Sequence, residues 1–209
     1  ALRPYLTLGE RMGCVLQQIA AGLKVEKLRV CYFGKVADLS AGPLSRAIQR
    51  GYILNISGKH VTDVNAPLIL KQLGIEVEIV KTNINSDYAE LIQLEAIDKA
   101  GKAVEIQGTL VGKSQSPRLV HVDGHDLEVS LNGKILFIKN EDTPGTIGQF
   151  GTILGNAGVN IANMSLSRVK QDQLALTAFE LDSVPASCAM DELKALKVVK
   201  DIRLVSVTC

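Results

Sequence analysis

The residues of this chain best suited to chemistry lie in one polar stretch, Asn140-Glu141-Asp142-Thr143-Pro144-Gly145. It joins an alternating run, Lys134 to Lys139, to a segment with Ile147, Phe150, Ile153 and Leu154 on one helical stripe. Gly155-Asn156-Ala157-Gly158 ends that helix where a left-handed C-cap is wanted, and Val159 to Ser165 returns as a strand. A strand end, a loop of amides and a carboxylate, and a helix N-terminus therefore meet at one place. Such a meeting point offers both signs of partial charge to a small zwitterion. The same residue types also cap and turn loops well, so the residue types alone leave ligand contact and loop architecture equally open.

Other reactive side chains form no constellation. His121 and His125 are four apart, but Asp123-Gly124 between them is a hairpin signal, so they flank a turn with no third metal ligand in sequence. Ser165 and Ser167 lie on a strand and no histidine follows residue 125, so serine, cysteine and histidine form no convincing nucleophilic constellation. Cys14, Cys31, Cys188 and Cys209 lack the close repeated spacing of a zinc or iron–sulfur site and read as reduced structural thiols. No catalytic and no metal-binding residue is assigned.

The composition narrows the classes further. Of 209 residues, 46% are apolar, enough for one or two packed cores. With 23 basic against 22 acidic side chains, the net charge of +1 lacks the basic surplus of a nucleic-acid binder. Aromatic residues at 4% supply no platform for stacking bases. No apolar run reaches the roughly 18 residues of a membrane span, and the first residues lack signal-peptide organisation, so a cytoplasmic protein is expected.

The elements that must position the polar stretch follow from periodicity. Residues 1–23 predict a helix ended by Gly22, in which Gly9 and Gly13 would let another element approach closely. Strand 27–33, helices 44–54 and 64–73, and the alternating strand 74–80 come next. Two hairpins follow, 88–97 with 103–111 across Gly101, and 118–122 with 125–129 across Asp123-Gly124. Helices come early in this domain and antiparallel strands late. Leu131-Asn132-Gly133 marks the boundary, dividing the chain into residues 1–131 and 132–209. The second part reads strand 134–139, helix 146–157, strand 159–168, strand 172–182, helix 185–196 and strand 198–207, with a polar hairpin loop at 169–172. The fold class is α+β: an α/β domain followed by a ferredoxin-like βαββαβ unit. A free strand edge on such a unit invites pairing with a second copy.

The βαββαβ order, with Asn140-x-Asp142-x-Pro144-Gly145 at the first strand–helix loop and Gly158-Val159-Asn160-Ile161 at the second strand, resembles an ACT domain. The segments Asp63 to Pro67, Gly74 to Val77 and Ile106 to Leu110 resemble the intervening, or allosteric-substrate-binding, domain of D-3-phosphoglycerate dehydrogenase. Both domains occur in the same order as in the long-chain enzyme, and the resemblance covers essentially the whole chain.

That resemblance implies the regulatory portion of an NAD-dependent dehydrogenase of L-serine biosynthesis. Serine would bind between paired ACT domains of a homo-oligomer and act as a feedback inhibitor. By position, the residues carried over are Asn140, Asp142 and Asn160. Asp142 would take the ligand's ammonium, and backbone N–H groups over Gly145, Thr146 and Ile147 its carboxylate. For the first domain, the resemblance implies an anion or substrate site, of whose cations only Arg118 has a counterpart. His125 and Ser130 stand at the other two positions, where Lys113 and Lys59 could supply charge from nearby; a solvated Arg118 on an edge hairpin is the alternative. The chain has no Gly-x-Gly-x-x-Gly after a strand, so no cofactor is expected on it, and NAD would belong to a catalytic half lying before it. The alternative reading is a stand-alone amino-acid-sensing or oligomerisation module; an iron–sulfur dehydratase subunit would need clustered cysteines.

Overall fold

The computed structural model describes residues 2–39, 41–82, 88–169 and 173–207. The chain forms two compact units that divide between Gly124 and His125, earlier than the expected boundary at 131.

In the first unit, α1 (Arg3–Ile19) and α2 (Ala41–Ser57) pack against each other, and α1 covers the sheet. The strands are β1 (Val25–Gly34), β2 (Glu76–Thr82), β3 (Glu90–Asp98), β4 (Ala103–Val111) and β5 (Ser116–Val122). Within this unit the strand order is β2-β1-β3-β4-β5, and β6 (His125–Ser130) opens the second unit. The sheet is not wholly antiparallel. α2 and α3 (Ala66–Gln72) form a crossover, so β1 and β2 run parallel, from Lys27 level with Glu76 to Phe33 level with Thr82. Leu8, Met12 and Leu16 of α1 are buried with Leu28, Val30 and Leu94 of the strands.

The helix glycines have the steric role expected of them. A Cβ on Gly13 would stand 2.2 Å from the Ile48 carbonyl oxygen, and one on Gly51 would stand 1.9 Å from that of Glu10. α1 and α2 thus cross backbone to backbone, which only residues without a side chain permit. The Asp123-Gly124 turn has both residues at positive φ, 46° and 84°, as a two-residue hairpin of right-handed twist requires.

In the second unit β7 (Gly133–Glu141), α4 (Thr146–Asn156), β8 (Ile161–Val169), β9 (Leu174–Leu181), α5 (Ser187–Ala195) and β10 (Val199–Val207) give the βαββαβ order. The sheet order β10-β7-β9-β8 is antiparallel throughout and ferredoxin-like. Leu136 and Ile138 of β7 face Phe150 and Leu154 of α4 and Leu193 of α5, and Phe150 meets Phe179 edge to face at 6.2 Å. The helix-free face is not left bare, because β6 lies beside β8 and β9. The Glu128 N–H donates to Ser165 Oγ (3.2 Å) and the Ser130 N–H to Glu180 Oε1 (2.8 Å). This explains why β6 groups with the second unit. Residues 170–172 of the predicted loop lie outside the described residues. No described helix is long and apolar enough to cross a membrane.

Candidate functional site

The end of β7, the loop after it, the first turn of α4 and the end of β8 enclose an open cavity of about 470 Å³. β7 delivers Asn140 and Asp142 because Leu136, Ile138 and Asn140 alternate on the helix side of the sheet, so the apolar core hands over to polar residues at the strand end. Gly145 has φ 87° and ψ −12°, a left-handed conformation that turns the chain sharply into α4.

No side chain caps α4. The Thr146 N–H reaches the Thr143 carbonyl at 3.3 Å, and the Gln149 N–H makes the first full helical bond, to Gly145. Among the described residues the N–H groups of Ile147 and Gly148 have no backbone acceptor, so the first turn presents unfilled donors beside the cavity. Thr143 and Thr146 share a hydroxyl–hydroxyl bond of 2.9 Å across the same turn.

The two amides differ in what remains available. Asn140 is 2% exposed. Its Nδ2 donates to the Glu141 carbonyl (2.8 Å) and its Oδ1 accepts from the buried Thr177 hydroxyl (3.2 Å). It borders the cavity, but both ends of its amide are committed to holding the loop on the sheet. Asn160 is exposed and donates to Asp182 Oδ2 at 2.6 Å. It does not line the cavity, and the register shows why. Ile161 is level with Leu181 and Lys134, whereas Arg168 is level with Ala175 and Asn140. At ~3.3 Å per residue, Lys134 to Asn140 spans about 20 Å along the sheet, so one chain cannot bring Asn160 to Asp142.

Two groups that the sequence reading left out complete the site: Leu166 and Arg168, two apart on β8 and so on one face. Arg168 Nε lies 3.0 Å from Asp142 Oδ2, and the pair stands in the cavity wall, with the Arg168 side chain 65% exposed and that of Asp142 32%. The antiparallel order of β7, β9 and β8 carried the signal, because it puts the residue ending β8 level with the residue ending β7.

The other candidates fall in different units. Arg118 belongs to the first unit, half-buried on β5, and His125 opens the second, 5% exposed. Neither lines the cavities of about 500 and 560 Å³ found in the first unit. The larger of those is a groove beside β2. The other is a helical cleft lined in part by Arg50, which is bonded through Nε to Glu10 Oε1 at 2.9 Å and paired through Nη1 with Asp63 at 3.2 Å.

Comparison with known proteins agrees with this architecture. Residues 1–123 match the D-3-phosphoglycerate dehydrogenase intervening domain and residues 134–203 the ACT domain. The chain is 27% identical to D-3-phosphoglycerate dehydrogenase of Methanocaldococcus jannaschii over 98% of its own length and 38% of that protein's. It is 31% identical to the Synechocystis sp. enzyme over 96% of its length and 36% of the relative's. It is 30% identical to chloroplastic D-3-phosphoglycerate dehydrogenase 2 of Arabidopsis thaliana over 96% and 34%. The chain thus spans little more than a third of each of these relatives. It belongs to the D-3-phosphoglycerate dehydrogenase intervening-domain family, and carries that domain followed by an ACT domain.

Proposed function

We propose that this chain is the amino-acid-sensing, regulatory part of a D-3-phosphoglycerate dehydrogenase of L-serine biosynthesis. L-Serine is its ligand, and the binding site is completed by a second copy of the ACT domain. The observation that carries the reading is the division of the site. Asp142 and the uncapped start of α4 share a cavity, while Asn160 is stranded about 20 Å along the same sheet. Two copies paired along the β8 edge, related by a two-fold axis, would bring each Asn160 to the other chain's cavity and form two equal sites.

The chemistry suits a small amino acid. The ammonium meets Asp142, the carboxylate meets the free donors of the first α4 turn, and the hydroxyl can exchange bonds with the Asn160 of the second copy. Binding across the interface favours one arrangement of the oligomer, and a difference of about 1–3 kcal/mol between arrangements is enough for feedback inhibition. On this reading, NAD and the hydride transfer belong to the part of the relatives that this chain does not span.

Calorimetric titration with L-serine tests the reading. Saturable heat at or below millimolar serine, weakened at least tenfold by Asn160→Ala, is expected. No heat in that range, or an Asn160→Ala chain that binds as the unsubstituted one does, contradicts it.

A further inference from the structure

Resting on that reading, we infer that Arg168 is a specificity-determining residue of the ligand site. It acts with Asp142 as a matched ion pair that reads both charged ends of an α-amino acid.

The geometry of the pair is one-sided. Contact runs from Arg168 Nε to Asp142 Oδ2 at 3.0 Å. A guanidinium carries five N–H donors in a rigid fork, and a contact through Nε uses one of them. Among the described residues the Arg168 guanidinium pairs with no acidic side chain other than Asp142, and the Asp142 carboxylate with no basic side chain other than Arg168. A cation and a carboxylate that are each other's ion-pair partner therefore stand side by side in the wall of one cavity. An α-amino acid has its ammonium and carboxylate on one carbon, so its own charges lie side by side with the opposite sign. The ligand's carboxylate, whose two oxygens each keep a lone pair beyond those facing the first α4 turn, also accepts from the Arg168 guanidinium, and its ammonium takes the Asp142 carboxylate. The ion pair need not break for this to happen.

The fold keeps this arrangement at hand. Arg168 is the partner of Ala175, itself the partner of Asn140, so the end of β8 is registered against the end of β7 through β9. The Asp142 N–H donates to the Gln173 carbonyl at 2.9 Å, which ties the loop to the start of β9. Leu166, one β8 step inward on the same face, supplies an apolar wall that suits a small side chain. An exposed ion pair with no such task contributes little to stability, so its removal separates the two roles.

The test uses L-serine and ethanolamine, which is serine without its carboxylate, against the unsubstituted chain, Arg168→Ala and Arg168→Lys. Circular dichroism first checks that each variant is folded. For the unsubstituted chain, serine should bind at least tenfold tighter than ethanolamine. Arg168→Ala should lose tenfold or more in serine affinity with ethanolamine affinity unchanged, so that the preference collapses. Arg168→Lys should recover part of the serine affinity, because it keeps the charge and loses the fork. An Arg168→Ala chain with undiminished serine affinity and preference overturns the inference and leaves the serine site standing. An unsubstituted chain that binds neither compound overturns the proposed function, and this inference with it.

Discussion

Replacing Gly13 by alanine should unfold this chain more easily, although alanine is the better helix former. The added Cβ would lie 2.2 Å from the Ile48 carbonyl oxygen and 2.8 Å from the Tyr52 nitrogen. Both obstacles are backbone of α2 and cannot swing aside, and the first lies more than 1 Å inside an ordinary contact of about 3.5 Å. The helices must separate, exposing the packing of Met12 and Ile48, both 0% exposed. Over-packing of this kind costs typically ~1–3 kcal/mol, and backbone collisions fall at or above the upper end. The gain in helix propensity returns at most ~1 kcal/mol, leaving a net loss of about 2 kcal/mol. At a specific unfolding entropy of about 2.1 cal/mol/K per residue, a unit of this size then melts about 8 °C lower. Gly151 of α4 is the internal control, since a Cβ there meets nothing within 4 Å and Gly151→Ala should stabilise by up to ~1 kcal/mol. Urea unfolding followed by circular dichroism, with hydrogen exchange to locate the change to α1 and α2, measures both. A Gly13→Ala chain as stable as the unsubstituted one would refute the backbone-to-backbone crossing.

Three further outcomes follow from local chemistry. Asn140→Ala leaves the Thr177 hydroxyl, 0% exposed, without its acceptor, and should cost about 1–3 kcal/mol in urea unfolding. If stability is unchanged, the amide is not the pin described here. The Glu78 carboxyl is held below the usual carboxylate range, chiefly by its hydrogen bond from Arg29. A lowered folded-state value contributes stability that is full above the unfolded range and is lost as pH falls through the folded value. Arg29→Gln should therefore flatten the acid limb of a stability–pH curve, and an identical limb would contradict the pairing. Burial, and then Glu95, push the Cys31 thiol up to about 11, and Cys14 is 0% exposed, while Cys188 is exposed. Maleimide at pH 7.5 should label Cys188 and leave Cys14 and Cys31 unmodified, as mass spectrometry of the peptides would show.

Much of the architecture could be read from the residues. Alternation marked the strands of the second unit, and Asp123-Gly124 and Gly101 marked the hairpins, because these turns need positive φ that glycine supplies without strain. Gly9 and Gly13 announced a close approach, though not its partner, since the identity of a contact partner is tertiary information. The parallel pairing of β1 with β2 was hidden for a similar reason: strands 27–33 and 74–80 alternate in the same way whichever direction they pair. The attachment of β6 to β8 and β9 was not legible, because it runs through Ser165 and Glu180, two side chains with no local signature.

The candidate site was legible as a place and less so in its details. Asn140 and residues 142–147 line one cavity, because a strand end, a glycine turn and a helix start are sequential. The sequence gives no sign that the Asn140 amide is spent on Thr177 and Glu141, or that Arg168 stands beside Asp142. Both facts depend on strand order across the sheet. Asn160 illustrates the converse, since its distance from Asp142 within one chain suggests a site shared between copies.

The most direct measurement of that shared site is a mixing experiment. Asp142→Ala and Asn160→Ala chains, each carrying a different affinity tag, are refolded together, and dimers bearing both tags are isolated. In such a dimer one site joins the intact Asp142 of one chain to the intact Asn160 of the other, and the second site has neither. Calorimetry should find one serine bound per mixed dimer at near-normal affinity, while each variant alone binds at least tenfold more weakly. If the mixed dimer binds no better than its parents, serine is not held between Asp142 of one copy and Asn160 of the next.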